Sequence, residues 1–167
     1  MVILLRNKQQ EKAKKIVPLV PLRIGVVFPN TEAVLAFGRA KSTTAINASF
    51  TSNRLICFVS QKSPSISDPG LSDIYRVGTL CTLQRTLKTD GEVNVLVKGI
   101  ARVRIEDIRS NKPFLLAVVS EIPEIIEESD EIKALCKHLR AQLKKAVNLG
   151  KSIDFLVFLH IMSGVSS

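Results

Sequence analysis

The apolar positions of this chain change period once. Between residues 16 and 122 they alternate with polar ones or come in short runs; beyond Pro123 they recur every three or four positions. The run at 16–22 contains Pro18 and Pro21. Each lacks a ladder donor, which predicts an entry or edge strand. Val26, Val27 and Phe28 predict a second short strand, stopped by Pro29 and Asn30. Ala40, Ala45, Ile46 and Phe50 suit one face of a short helix over 39–52. Residues 55–59 predict a buried strand, and 61–70, rich in Ser, Pro, Asp and Gly, a surface loop. Strands at 77–87 and 92–98 flank Asp90-Gly91, a pair suited to positive φ, so the spacing predicts a hairpin. Val93, Val95 and Val97 alternate with polar residues, Gly99 is expected to open a turn, and Ala101, Val103 and Ile105 alternate again. A last apolar strand at 114–119 should be covered on both faces. The fold class is α+β, with a mainly antiparallel, barrel-like sheet and one short helix, followed by a helical segment.

In that segment Ile132, Leu135, Leu139, Leu143 and Ala146 or Val147 make an amphipathic helix. Ser129 can cap it, Asp130 and Glu131 suit its first turn, and Gly150 can stop it. A second helix over 153–162, capped by Ser152, is apolar nearly all round and needs cover on every side. Three regions follow: a flexible basic tail at 1–15, a β domain at 16–122, and at 123–167 the truncated start of a helical subdomain.

Composition narrows the function classes. Apolar residues make up 46% of 167, enough for a core. No apolar run reaches the ~20 residues of a membrane span. The start places an apolar stub before its charges, the reverse of a secretory signal, so a cytoplasmic protein with no membrane partner is expected. Cys57, Cys81 and Cys136 lie far apart, which predicts buried, inert thiols and no metal site. The net charge of +9 divides as +4 over 1–15, +5 over 16–122 and zero over 123–167. Arg102, Arg104, Arg109 and Lys112 form a basic stripe that offers nucleic-acid binding as an alternative. With one tyrosine and no tryptophan, the chain is poor in the stacking groups that single-strand binders use.

Catalytic patterns are absent from the sequence. Gly150-Lys151-Ser152 ends like a phosphate loop, but Lys145 stands where that loop needs glycine and a helix precedes it in place of a strand. His138 has no carboxylate or cysteine four residues away and His160 sits amid Phe158, Leu159 and Ile161, which suits packing or surface histidines, so no catalytic residue is assigned. Apolar residues that the pattern does not bury are candidates for binding polypeptide: Val34, Leu35 and Phe37 after the Pro29-Asn30 turn, and Ile66 and Leu71 at the 61–70 loop.

Residues 17–23 (VPLVPLR) and 26–29 (VVFP) are similar to the opening of the amino-terminal domain family of Lon ATP-dependent proteases. Asp68-Pro69-Gly70, the stretch 73–79 (DIYRVGT), Asp90-Gly91, and above all 93–99 (VNVLVKG) followed by 101–105 (ARVRI) fall in that family's order. The resemblance covers about 16–123. Lys98 departs from the acidic residue that many relatives place before the glycine. The resemblance implies a six-stranded PUA-like pseudo-barrel with a helix, then a helical part. It implies a non-catalytic role in gathering unfolded, damaged or tagged proteins for a hexameric machine, with the remaining Lon domains as partners. It implies no cofactor for this chain, ATP and magnesium belonging to a separate ATPase module. The basic alternative is a stand-alone PUA-like RNA-binding module.

Overall fold

A computed structural model of the chain describes residues 14–89, 91–125, 129–153, 158, 161 and 162. The chain forms two compact units, Met1–Pro123 and Glu124–Ser167. In the first lie β1 (Lys15–Leu22), β2 (Glu32–Phe37), α1 (Ala40–Thr51), β3 (Leu55–Ser60), β4 (Val77–Thr89), β5 (Glu92–Ser110) and β6 (Leu115–Glu121); the second contains α2 (Asp130–Asn148). The six strands make one sheet in the order β2-β5-β4-β3-β1-β6, and a further β5–β6 pairing closes five of them into a ring. β5 is long enough to serve two neighbours on one side. Its first half pairs with β2 and its second half with β6. Bulges between Leu80 and Cys81, between Leu83 and Arg85 and at two points along the β5–β6 ladder bend the strands, which is how a ring closes.

One pairing breaks the expected antiparallel pattern. β1 and β3 run parallel, Leu19 opposite Cys57 and Leu22 opposite Ser60, so the sheet is mixed. Parallel neighbours need a crossover, and the chain through β2 and α1 supplies it. A second expectation also fails. Residues 26–28 are not a strand, and the second strand is β2. Gly99 opens no turn but lies inside β5.

The ring encloses two apolar clusters. One gathers Val20, Ile46, Phe58, Leu83 and Val95 under α1; the other gathers Leu19, Ile74, Leu80, Val103 and Ile105. α1 turns Ala45, Ile46 and the hydroxyl of Ser49 inward, and the hydroxyl is satisfied by the Ala45 carbonyl at 2.9 Å. Cys57 and Cys81 are fully buried, and burial pushes the Cys57 thiol up and the Cys81 thiol up to about 12. Cys136, on α2, is exposed, contrary to the expectation of three buried thiols.

In the second unit the Ser129 side chain caps α2 by accepting from the Ile132 N–H at 3.2 Å, and Gly150, at φ +78°, ends it. Gly150 thus serves as a helix stop. Among the described residues α2 buries none of its own side chains. Of the second predicted helix, Phe158, Ile161 and Met162 are helical, and Arg140 Nε donates to the Ile161 carbonyl at 3.1 Å. Residues 154–157, 159 and 160 lie outside the described residues, as does most of the predicted tail.

Candidate functional site

The surface around residues 24–28 is built by hydroxyl groups. The Ser60 hydroxyl donates to the Gly25 carbonyl at 2.7 Å, and the buried Thr79 hydroxyl donates to the Val27 carbonyl at 2.6 Å. The Phe28 carbonyl accepts from the Thr31 hydroxyl at 2.8 Å. Beyond it, Asn30, at φ +59°, turns the chain onto β5: its N–H donates to the Gly99 carbonyl at 3.0 Å, and the Gly99 N–H donates to Thr31 at 2.9 Å. A β-carbon at Gly99 would collide with the Phe28 carbonyl, so this approach requires glycine. These bonds satisfy the main chain without a strand. They fix Val27 inward, 3% exposed, and leave its neighbours Val26 and Phe28 pointing out, Phe28 at 64%. That is why the apolar triplet 26–28 does not become the predicted strand.

Opposite Phe28 stand Tyr75 and Val77, both exposed. Between the two sides lies a cavity of about 380 Å³ floored by Leu22, Phe58 and Thr79, with Arg102 on its lining. Leu22 also lines a second groove, of about 580 Å³, between β2 and residues 21–24. Ile24, at 86% exposure, and Val34, at 71%, stand on this groove with Arg23, Arg39 and Glu92. Ile24, Val26, Phe28, Val34, Tyr75 and Val77 therefore surround two cavities that share a wall. An exposed apolar surface of this kind fits contact with another macromolecule.

A third cavity, of about 320 Å³, opens at the start of α1, against Leu19, Pro21 and Leu115. The Arg39 guanidinium spans its edge, donating to Gln61 Oε1 at 2.6 Å and the Ile66 carbonyl at 3.2 Å. Burial lowers the Arg39 pKa, Arg23 lowers it further, and Asp68 works the other way. Lys41 pairs with Asp68 at 2.6 Å and bonds Asn111 at 2.9 Å. Buried Gln61 also donates to the Ser63 and Ile66 carbonyls, so one side chain holds the 61–70 loop on the barrel.

The residues singled out from sequence separate in space. Val34 is on the exposed surface. Leu35, its neighbour on β2, packs half-buried against the core. Phe37 is a core residue, stacked on Phe58 with centroids 5.7 Å apart, and it also lines the groove beside β2. Leu71 is half-buried against the second cluster, and Ile66 serves chiefly through its carbonyl. The exposure of Ile24, Val26, Phe28, Tyr75 and Val77 was not legible in the sequence. Alternation alone assigns half of 26–28 to a core, and only the hydroxyl bonds reveal which half faces out. Arg102 and Arg104 share an exposed face of β5, while Arg109 stands 4.0 Å from Asp107 and Lys112 is separate on the following turn. Among the described residues no His, Cys, Asp and Glu side chains gather as metal ligands. His138 Nε2 lies 3.5 Å from the Gln142 side-chain amide. No described helix is long and apolar enough to cross a membrane.

Residues 16–163 match the family model of the ATP-dependent protease La (Lon) substrate-binding domain. Among curated proteins, a Lon protease of Desulfovibrio desulfuricans is 36% identical over 150 residues, which is 89% of this chain and 17% of that protein. A Lon protease of Azospirillum brasilense is 37% identical over 145 residues, 86% of this chain and 18% of that protein. The chain thus spans less than a fifth of these relatives' length. Among solved structures, the N-terminal domain of a Mycobacterium avium complex Lon protease has a TM-score of 0.65 at 21% identity, covering 91% of this chain and 77% of that one. A Lon N-terminal domain protein from Xanthomonas campestris has a TM-score of 0.59 at 17% identity, covering 77% and 73%.

Proposed function

The chain belongs to the family of Lon substrate-binding domains, and from that premise we propose that it recruits unfolded or damaged polypeptides, without catalysis of its own, for an ATP-dependent serine endopeptidase. The observation that carries this reading is the apolar surface made by Ile24, Val26, Phe28, Val34, Tyr75 and Val77. Unfolded clients differ from folded ones in exposing apolar side chains and free backbone, and such a surface selects for the first of these without demanding a sequence. In this reading the ATP, magnesium and Ser-Lys chemistry reside in other modules of the parent, which assembles as a hexamer in the cytoplasm. Nucleic acid is the weaker reading. The basic face at Arg102 and Arg104 is short, and Arg109 is partly neutralised by Asp107.

The test uses the full chain and a dye-labelled polypeptide that has been reduced and alkylated so that it cannot refold. Phe28→Ser with Tyr75→Ser should weaken binding by tenfold or more, since exposed aromatic anchors carry most of such contacts and ten-fold corresponds to ~1.4 kcal/mol. The folded state should be little affected, because both side chains are exposed. Unchanged affinity in the double variant, or no binding by the parent chain at high concentration, would refute the proposal.

A further inference from the structure

β2 is an open edge. Among the described residues it pairs with β5 alone, and no strand lies on its other side. The Gly99 N–H bonded to Thr31 sets the parity of that ladder. By the alternation of antiparallel pairs, Ala33, Leu35 and Phe37 turn their main-chain groups to β5, while Glu32, Val34 and Ala36 turn theirs away. Natural edges are blunted by lysine, proline or a bulge. Here two of the three residues with outward main-chain groups, Val34 and Ala36, are apolar, and the ladder with β5 runs without a register shift. The free edge borders the 580 Å³ groove toward Pro21, Leu22 and Ile24. Arg23 and Arg39 line that groove with Glu92 as its single acidic residue, and the Arg39 guanidinium also donates to Gln61 and to the Ile66 carbonyl. Arg23 has no hydrogen bond or ion pair to a described residue.

We propose that this edge receives an extended segment of a client polypeptide as an added strand, its alternate apolar side chains in the groove and an acidic side chain at Arg23 and Arg39. Main-chain pairing is blind to sequence, which suits a recruiter of many clients, and the groove adds a preference for alternating apolar residues with an acidic one. The partner is an unfolded peptide rather than a second copy, because residues 16–122 carry a net charge of +5 and the groove holds more arginine than carboxylate, so two copies repel where an acidic client side chain is attracted. This mode rests on the client-binding reading above.

The probe is a dye-labelled decapeptide of alternating valine and serine with one glutamate. A second version carries N-methyl groups at alternate amides, which keeps every side chain but blocks pairing. Expected are binding of the first, at least tenfold weaker binding of the second, and a drop of about threefold when glutamate becomes glutamine. Val34→Pro removes a donor that faces away from β5, a position where an edge tolerates proline, and should also weaken binding tenfold. Hydrogen exchange at the Val34 and Ala36 amides should slow with peptide, a readout in the parent chain that does not depend on the variant folding. Equal affinity of both peptides, or unchanged exchange at these amides under saturation, would overturn strand addition. So would doubling of the native mass with those amides already protected before peptide is added. If the alkylated client still binds through Phe28 and Tyr75 while strand addition fails, only this mode falls; if neither ligand binds, the recruiting role falls with it.

Discussion

Thr79 links the core to the surface in one bond. Its hydroxyl, 4% exposed on β4, donates to the carbonyl of Val27 and so decides that Val26 and Phe28 face outward. Thr79→Val keeps the shape and removes the donor, leaving a carbonyl without a protein partner. The expected cost is about 1–3 kcal/mol, read as a lower denaturant midpoint at unchanged m, together with weaker client binding. The thiols give a second prediction. Cys57 and Cys81 are buried with raised pKa values, and Cys136 is exposed. A maleimide should therefore label one thiol per native chain and three after denaturation. Above pH 9 the unfolded chain releases thiol protons that the native chain retains, so stability should fall as pH rises, by at most ~1.4 kcal/mol per pH unit for each thiol. A flat stability between pH 8 and 10.5 would contradict that burial. At this scale the core was largely legible: Val93, Val95, Val97, Val103 and Ile105 are buried as their alternation predicts. The exposed partners of Val27 were not, because hydroxyl-to-carbonyl bonds between residues 52 positions apart leave no local pattern.

At the scale of elements, β1, α1, β3, the β4–β5 hairpin, β6 and α2 stand within a few residues of where patterning puts them. Gly99 misled because a glycine after an alternating run usually marks a turn. Here it marks close approach of the 28–31 turn to a continuing strand. β2 was missed for the complementary reason. Glu32–Phe37 carries five apolar residues in a row after its glutamate, with no alternation to show that Val34 and Ala36 face out. α2 offers a direct test of its cap. Its Asp130, Glu131 and Lys145 suit the helix dipole, but among the described residues no side chain of the helix is buried, so the cap carries unusual weight. Ser129→Ala should cost about 1 kcal/mol, measured as roughly fivefold faster amide exchange in the first turns of α2. Exchange unchanged in that helix would show that the Ser129–Ile132 bond is not what holds its start.

On the scale of the whole molecule, the parallel β1–β3 pairing is the feature that sequence reading could not supply. It depends on where β2 and α1 return the chain, which no local period records. It also has a functional consequence. The crossover displaces β2 from β1, and the gap between them is the groove at Pro21–Ile24 and Val34. The surface proposed to recruit clients thus has pinned loop residues on one wall and an open strand edge on the other. Its location can be tested apart from its apolarity, because Leu87 is as exposed as Phe28 yet lines none of the three cavities. A photo-crosslinking phenylalanine analogue can replace Phe28, Tyr75 or Leu87 in the full chain, followed by illumination with a dye-labelled, permanently unfolded polypeptide. The account predicts strong crosslinks from the positions of Phe28 and Tyr75 and little from that of Leu87. Equal capture from all three, or capture from Leu87 alone, would contradict it.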